Sequence, residues 1–251
     1  MSKFDLICGC FAPSIGKSVE NENHSKVKTL YYSGCREQDA GNLEAAKEHY
    51  LKCLEVDNNH VSANYNLGKV YHELGDLRKS SEYFKQTLAL DEKHHLANYN
   101  LGYIRYEQRN LEEACRYFET AAQLNDRDVD TFINLALVYR DLGNLSGSVS
   151  ANLSAISIDP KHEMAYYNLG NTHHEMGENK EAIKYFVKAI ELNPNHEDAL
   201  FNLGVVYQEE DNSEKAIECY EAAFQINPDL TEAQQHARML RDYLDSLSSN
   251  S

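Results

Sequence analysis

Apolar residues recur along most of the chain at steps of three and four, the spacing that lines one face of a helix. They do so in blocks that repeat. YNLG stands at 65–68, 99–102 and 167–170, with INLA at 133–136 and FNLG at 201–204, so the period is 34 residues. Counting from Val27, six units fit without a gap: 27–60, 61–94, 95–128, 129–162, 163–196 and 197–230. Each unit holds two amphipathic blocks. Gly41, Gly75, Gly143 and Gly177 fall at position 15 of their units, where a left-handed residue ends a helix. Pro160, Pro194 and Pro228 fall at position 32, where a second helix must stop. The pattern predicts six helix–turn–helix units in an all-α chain.

Small residues recur in register. Position 8 is Gly34, Gly68, Gly102, Ala136, Gly170 and Gly204, and position 20 is Ala or Ser from Ala46 to Ala216. Position 24 is aromatic in Tyr50, Phe84, Phe118, Phe186 and Tyr220. Small side chains let helix axes approach, and the aromatics fill the space between them. Outside the repeats, residues 231–247 place Ala237, Leu240, Tyr243 (or Leu244) and Leu247 at helical spacing, as expected of a capping helix, and 248–251 read as a polar tail. Residues 1–26, with few apolar anchors, are expected to lack stable structure.

These residues are the ones that identify a family. Leu-Gly at positions 7–8, a small residue at 20, an aromatic at 24, Ala at 27 and Pro at 32 resemble the tetratricopeptide repeat pattern over residues 27–230, although Trp at position 4 is missing throughout. The resemblance implies a right-handed superhelical solenoid of antiparallel helix pairs with a capping helix, each first helix lining a concave channel. Such repeats bury their faces only against neighbours.

The resemblance also places positions 5, 6 and 13 on the channel wall. Position 5 carries Tyr65, Tyr99 and Tyr167, position 6 carries Asn66, Asn100, Asn134, Asn168 and Asn202, and position 13 carries Asp39, Glu73, Glu107, Asp141, Glu175 and Glu209. A carboxamide offers donors and an acceptor together, so an Asn row suits the backbone of an extended peptide. In some family members a similar row grips such peptides; the other reading is a local hydrogen-bond network. The six acidic residues sit at the C-terminal ends of first helices, where the dipole disfavours negative charge. Lys28, Lys69 and Arg140 are the basic residues found at channel positions, so the acidic row is expected to be mostly unmatched on its own face. The chaperone carboxylate clamp of some members needs Lys at position 5 and Arg at position 6; neither occurs, and that role is not expected.

Charge narrows the partner. Twenty-four basic residues against 40 acidic ones leave a net charge of −16, which argues against nucleic acid and suits a neutral or basic protein or peptide. No run is long enough to span a bilayer. The six Cys lack zinc-type spacing, as for free thiols in a reducing, cytoplasmic compartment. Cys8 and Cys10, among apolar neighbours, are candidates for S-acylation and weak membrane association. Four of the eleven His stand at position 34 of their units, too far apart to chelate jointly, and no catalytic motif appears. The expectation is therefore no enzyme, no metal and no cofactor. The sequence points to a protein–protein interaction module, an adaptor or scaffold holding an extended basic peptide in its channel. The alternative is a structural subunit that contacts partners through the superhelix ends or convex face.

Overall fold

The computed structural model describes residues 14–249, and among these it consists of thirteen helices with no strand. They group into two compact units, Met1–Ile104 and Arg105–Ser251. In the first unit α1 (Ser14–Asp39) pairs with α2 (Leu43–Val56), α2 packs on α3 (Val61–Glu73), α3 pairs with α4 (Leu77–Leu90), and α5 (His95–Glu107) begins. The second unit continues with α6 (Leu111–Leu124), α7 (Val129–Asp141), α8 (Leu145–Ile158), α9 (Glu163–Glu175), α10 (Asn179–Leu192), α11 (Glu197–Glu209), α12 (Ser213–Ile226) and α13 (Thr231–Ser249). Each of these helices packs on the next, and α9 also touches α7 and α11, the first helices of the neighbouring repeats.

Position 15 takes the left-handed backbone in every repeat. The four glycines do so with φ between 73° and 80°, but Arg109 (φ 59°) and Asp211 (φ 57°) adopt it as well, a conformation that costs a non-glycine residue roughly 1 kcal/mol. Four of the six second helices start on side-chain caps: Asp76, Asn110, Asn144 and Asn212 each accept from the backbone N–H three residues on. Three first helices are capped by histidine. Nδ1 of His60, His94 and His196 accepts from the N–H of Ala63, Ala97 and Ala199 at 3.1, 3.2 and 3.4 Å.

The core of each unit is built from the small and aromatic rows. A Cβ on Gly68 would lie 2.7 Å from the Phe84 ring, and one on Gly170 would lie 2.5 Å from that of Phe186, closer than carbon atoms pack. The missing side chain is what lets the aromatic ring lie flat against the first helix. Tyr50, Phe84, Phe186 and Tyr220 are completely buried as a result.

Two expectations at the ends are corrected. Helix α1 starts at Ser14 rather than near Val27, so part of the segment expected to lack structure is helical. Residues 22–26 are exposed, and extending a helix already nucleated by packing needs no new nucleus. Cys8 and Cys10 lie outside the described residues. On α13 the core face is Ala233, Ala237, Leu240 and Leu244, whereas Tyr243 and Leu247 are 55 % and 51 % exposed. With 19 residues against the 14 of α12, the last turn of α13 runs past its packing partner.

Candidate functional site

Two ladders of side-chain contacts run along the first helices, each linking a residue to one 35 positions later. The first joins position 5 to position 6 of the next repeat. In the first unit Asn66 donates from Nδ2 to Tyr31 Oη (3.4 Å) and Tyr50 Oη (3.2 Å), and Asn100 donates to Tyr65 Oη (3.3 Å) and to the Leu96 carbonyl (2.7 Å). In the second unit Asn202 donates to Tyr167 Oη (3.3 Å) and Asn171 Oδ1 (2.8 Å). The tyrosine rings lean on the capping histidines, with Tyr65–His94 and Tyr167–His196 centroids 4.7 Å apart. Tyr99 is half-buried and Asn134 donates to the Asp130 carbonyl at 2.9 Å.

Every bond in this ladder uses the amide nitrogen. Among the described residues, Oδ1 of Asn100 and Asn202 accepts nothing, and the hydroxyls of Tyr65 and Tyr167 donate to nothing. Burial raises the Tyr65 pKa above its ordinary value, although the bond from Asn100 pulls the other way, so the O–H stays in place. Each Tyr–Asn pair thus presents one donor and one acceptor side by side. The local hydrogen-bond network is present and is held by the amide nitrogens.

The second ladder joins position 12 to position 13 of the next repeat. Asp141 Oδ2 accepts from Tyr106 Oη at 3.1 Å and pairs with Arg109 at 3.3 Å. Arg140 Nε lies 3.4 Å from Glu175, and His174 Nε2 lies 2.9 Å from Glu209. Burial, then the charge of Asp141, raises the Tyr106 pKa. The expectation of an unmatched acidic row is therefore corrected for these three residues. Their partners come from the neighbouring repeat, and the signal was present at position 12, where Gln38, His72, Tyr106, Arg140, His174 and Gln208 can all donate a hydrogen bond. Glu107 is exposed at the end of α5. Asp39 and Glu73 are also exposed, and among the described residues they have no ion-pair partner.

One member of the amide row departs from the rest. Asn168 is 2 % exposed and its Nδ2 has no hydrogen-bond partner. The residue 35 positions earlier is Ile133, where other repeats carry tyrosine. The histidine of the same repeat, His162, likewise makes no cap bond and leaves Nδ1 unpartnered.

Among the described residues no three His, Cys, Asp or Glu side chains converge as metal ligands, and no helix is long and apolar enough to cross a membrane. Cys115, beside Glu119 and Tyr139, has its thiol pushed up to about 11 by burial, the reverse of an activated nucleophile.

Tetratricopeptide repeat profiles match residues 29–93, 73–129, 164–196 and 197–230, and a TPR repeat profile matches 136–177. No curated protein matches the chain. Among solved structures, the chain is similar to YrrB, described as a TPR protein with an unusual peptide-binding site, at 24 % identity and a TM-score of 0.65 over 75 % of this chain and 97 % of that one. It resembles MamA at 30 % identity and TM-score 0.61, over 64 % and 94 % of the two chains. Pseudomonas aeruginosa PilF aligns at 19 % identity with a TM-score of 0.71, over 85 % and 97 %. With four sets of matching profiles along an all-α solenoid of six repeats and a capping helix, the chain belongs to the tetratricopeptide repeat family, whose members are generally non-enzymatic protein–protein interaction modules.

Proposed function

We propose that the chain is an adaptor or scaffold that holds extended peptide segments of neutral or basic character on the ladder face of each unit. The supporting observation is the pairing of free groups in Tyr65–Asn100 and Tyr167–Asn202. A phenolic O–H beside an amide carbonyl matches the C=O and N–H of one residue of an extended chain, which point the same way, so backbone is gripped whatever its side chains. On the first unit Asp39 and Glu73, exposed and, among the described residues, without an ion-pair partner, add acceptors that favour Lys or Arg and oppose carboxylates. The peptide-binding description of YrrB is consistent with this use of the fold.

Fluorescence anisotropy with labelled peptides of equal length provides the test. Lys-rich peptides should bind more tightly than Ser-rich ones and Glu-rich ones least, with affinity falling as salt rises because the exposed carboxylates are screened. Asp39→Asn with Glu73→Gln should narrow the gap between Lys-rich and Ser-rich peptides. Equal binding of all three peptides, or none, would sink the proposal.

A further inference from the structure

The capping helix does more than close the core. Phe201 at position 5 packs against His236 of α13, centroids 5.9 Å apart, at the same 35-residue offset as Tyr167 and Asn202. Ala233 and Ala237 are buried as Ala199 and Leu203 are, 34 residues earlier. Helix α13 therefore keeps the register of a first helix, and its positions 9 and 13 are Met239 and Tyr243. All six repeats have a carboxylate at position 13; here a tyrosine stands instead. Met239, Tyr243 and Leu247, spaced by four on one helix, are 69 %, 55 % and 51 % exposed. Leaving three large apolar side chains in water on one stripe is unfavourable unless something covers it.

We propose that this stripe seats a large aliphatic or aromatic side chain of the bound peptide, next to that peptide's basic stretch; the inference rests on the peptide-binding reading above. The occupant's character follows from the rim. Asp242 lies one helical neighbour from Met239 and Glu232 lies two turns before it on the same side, against the exposed Arg238, and Glu209, which His174 also contacts at 2.9 Å, is the exposed position-13 residue of the adjoining first helix. The nearby Arg241 is held by Glu221 and its charge is matched. An apolar floor with an acidic rim selects an apolar anchor flanked by Lys or Arg. An acidic or uniformly polar segment would find no seat on it. Within the second unit the stripe also gives the ladder face a direction, since amide and carboxylate chemistry ends at α11 and apolar chemistry begins at α13.

The test uses the full chain and two labelled probes, a Lys/Ser peptide and the same peptide ending in Leu-Phe. The wild type should bind the Leu-Phe peptide roughly tenfold more tightly, the scale of one well-seated apolar anchor. In a Met239→Ser, Tyr243→Ser, Leu247→Ser variant that advantage should vanish, with the Lys/Ser peptide bound as before. All three side chains are more than half exposed, so circular dichroism should report an intact fold. Tyr243→Lys alone should also lose the advantage, by repelling the basic flank. Equal wild-type affinity for the two probes would overturn the inference while leaving the peptide-binding reading in place, and so would an advantage that survives the triple substitution. A wild-type dimer that the triple variant splits, seen by analytical ultracentrifugation, would instead make the stripe a contact between copies of the chain. Failure of both probes to bind the wild type would remove the peptide-binding reading and this inference together.

Discussion

Asn168 is buried with its Nδ2 unpartnered, and Ile133, 35 residues earlier, is the reason. Where Tyr31, Tyr65 and Tyr167 fill that place, the hydroxyl accepts from the next asparagine and the ring lies against the capping histidine. Isoleucine does neither, and His162 accordingly fails to cap α9. Ile133→Tyr should restore both contacts. Satisfying a buried donor and adding an N-cap bond are each worth about 1 kcal/mol, so urea denaturation should show a gain of roughly 1–2 kcal/mol. No gain, or a loss, would mean that the tyrosine ladder contributes nothing to stability.

The turn of the third repeat carries a removable strain. Arg109 holds φ at 59° where four repeats use glycine, and its guanidinium, itself largely in solvent, reaches Asp141 at 3.3 Å. Releasing the backbone is worth about 1 kcal/mol, while an exposed ion pair is worth less than that. Arg109→Gly should therefore raise the melting temperature slightly. A fall would show that the Arg109–Asp141 contact outweighs the backbone term.

Much of this architecture was legible in the chain because position and physical need coincide. Gly68 and Phe84 recur 16 residues apart since one ring occupies the space of one missing Cβ, and the period of 34 follows from stacking identical units. What escaped notice was whatever depends on two repeats at once. The donors at position 12 and the acids at position 13 read as separate rows along a sequence, and become partners only when one first helix lies beside the next. The ends escaped for another reason. Whether Tyr243 or Leu244 turns inward depends on the angle at which α13 meets α12, and helical spacing alone allows both.

Acid should weaken the histidine caps. His94 accepts the Ala97 N–H through Nδ1, which requires a neutral ring, and burial, with the neighbouring His95, lowers its pKa against the opposing pull of Asp91. A base with a folded pKa below its unfolded value of about 6.5 stabilises the fold fully above that value. The contribution is lost as pH falls through the folded pKa. His94→Asn keeps a good cap without titrating. Between about pH 7 and pH 5 the variant should lose less in melting temperature than the wild type; the carboxylates and the other histidines titrate in both chains and cancel. Equal losses would show that the His94 cap does not sense pH.

The fourth repeat should be the first to open. Its position 8 is Ala136 and its position 24 is Asn152, both buried, where other repeats of the second unit pair glycine with an aromatic ring. The alanine Cβ occupies the space that a ring would need, so the small polar side chain is its consequence. Asn152 donates to the Ser148 carbonyl at 3.1 Å, but its buried Oδ1 has no partner. Gly147 adds to the weakness, since glycine within a helix costs about 1 kcal/mol relative to alanine. It is not simply replaceable, because a Cβ there would meet the Asn144 side chain that caps α8, at 2.6 Å. Hydrogen exchange should show residues 145–157 opening before α10 and α12. Asn152→Phe alone should destabilise by roughly 1–3 kcal/mol through overpacking against Ala136. Combined with Ala136→Gly it should instead stabilise, and the two changes should couple by at least about 1 kcal/mol in a double-mutant cycle. Additive effects, or uniform protection of the three helices, would refute the claim that the alanine dictates the asparagine.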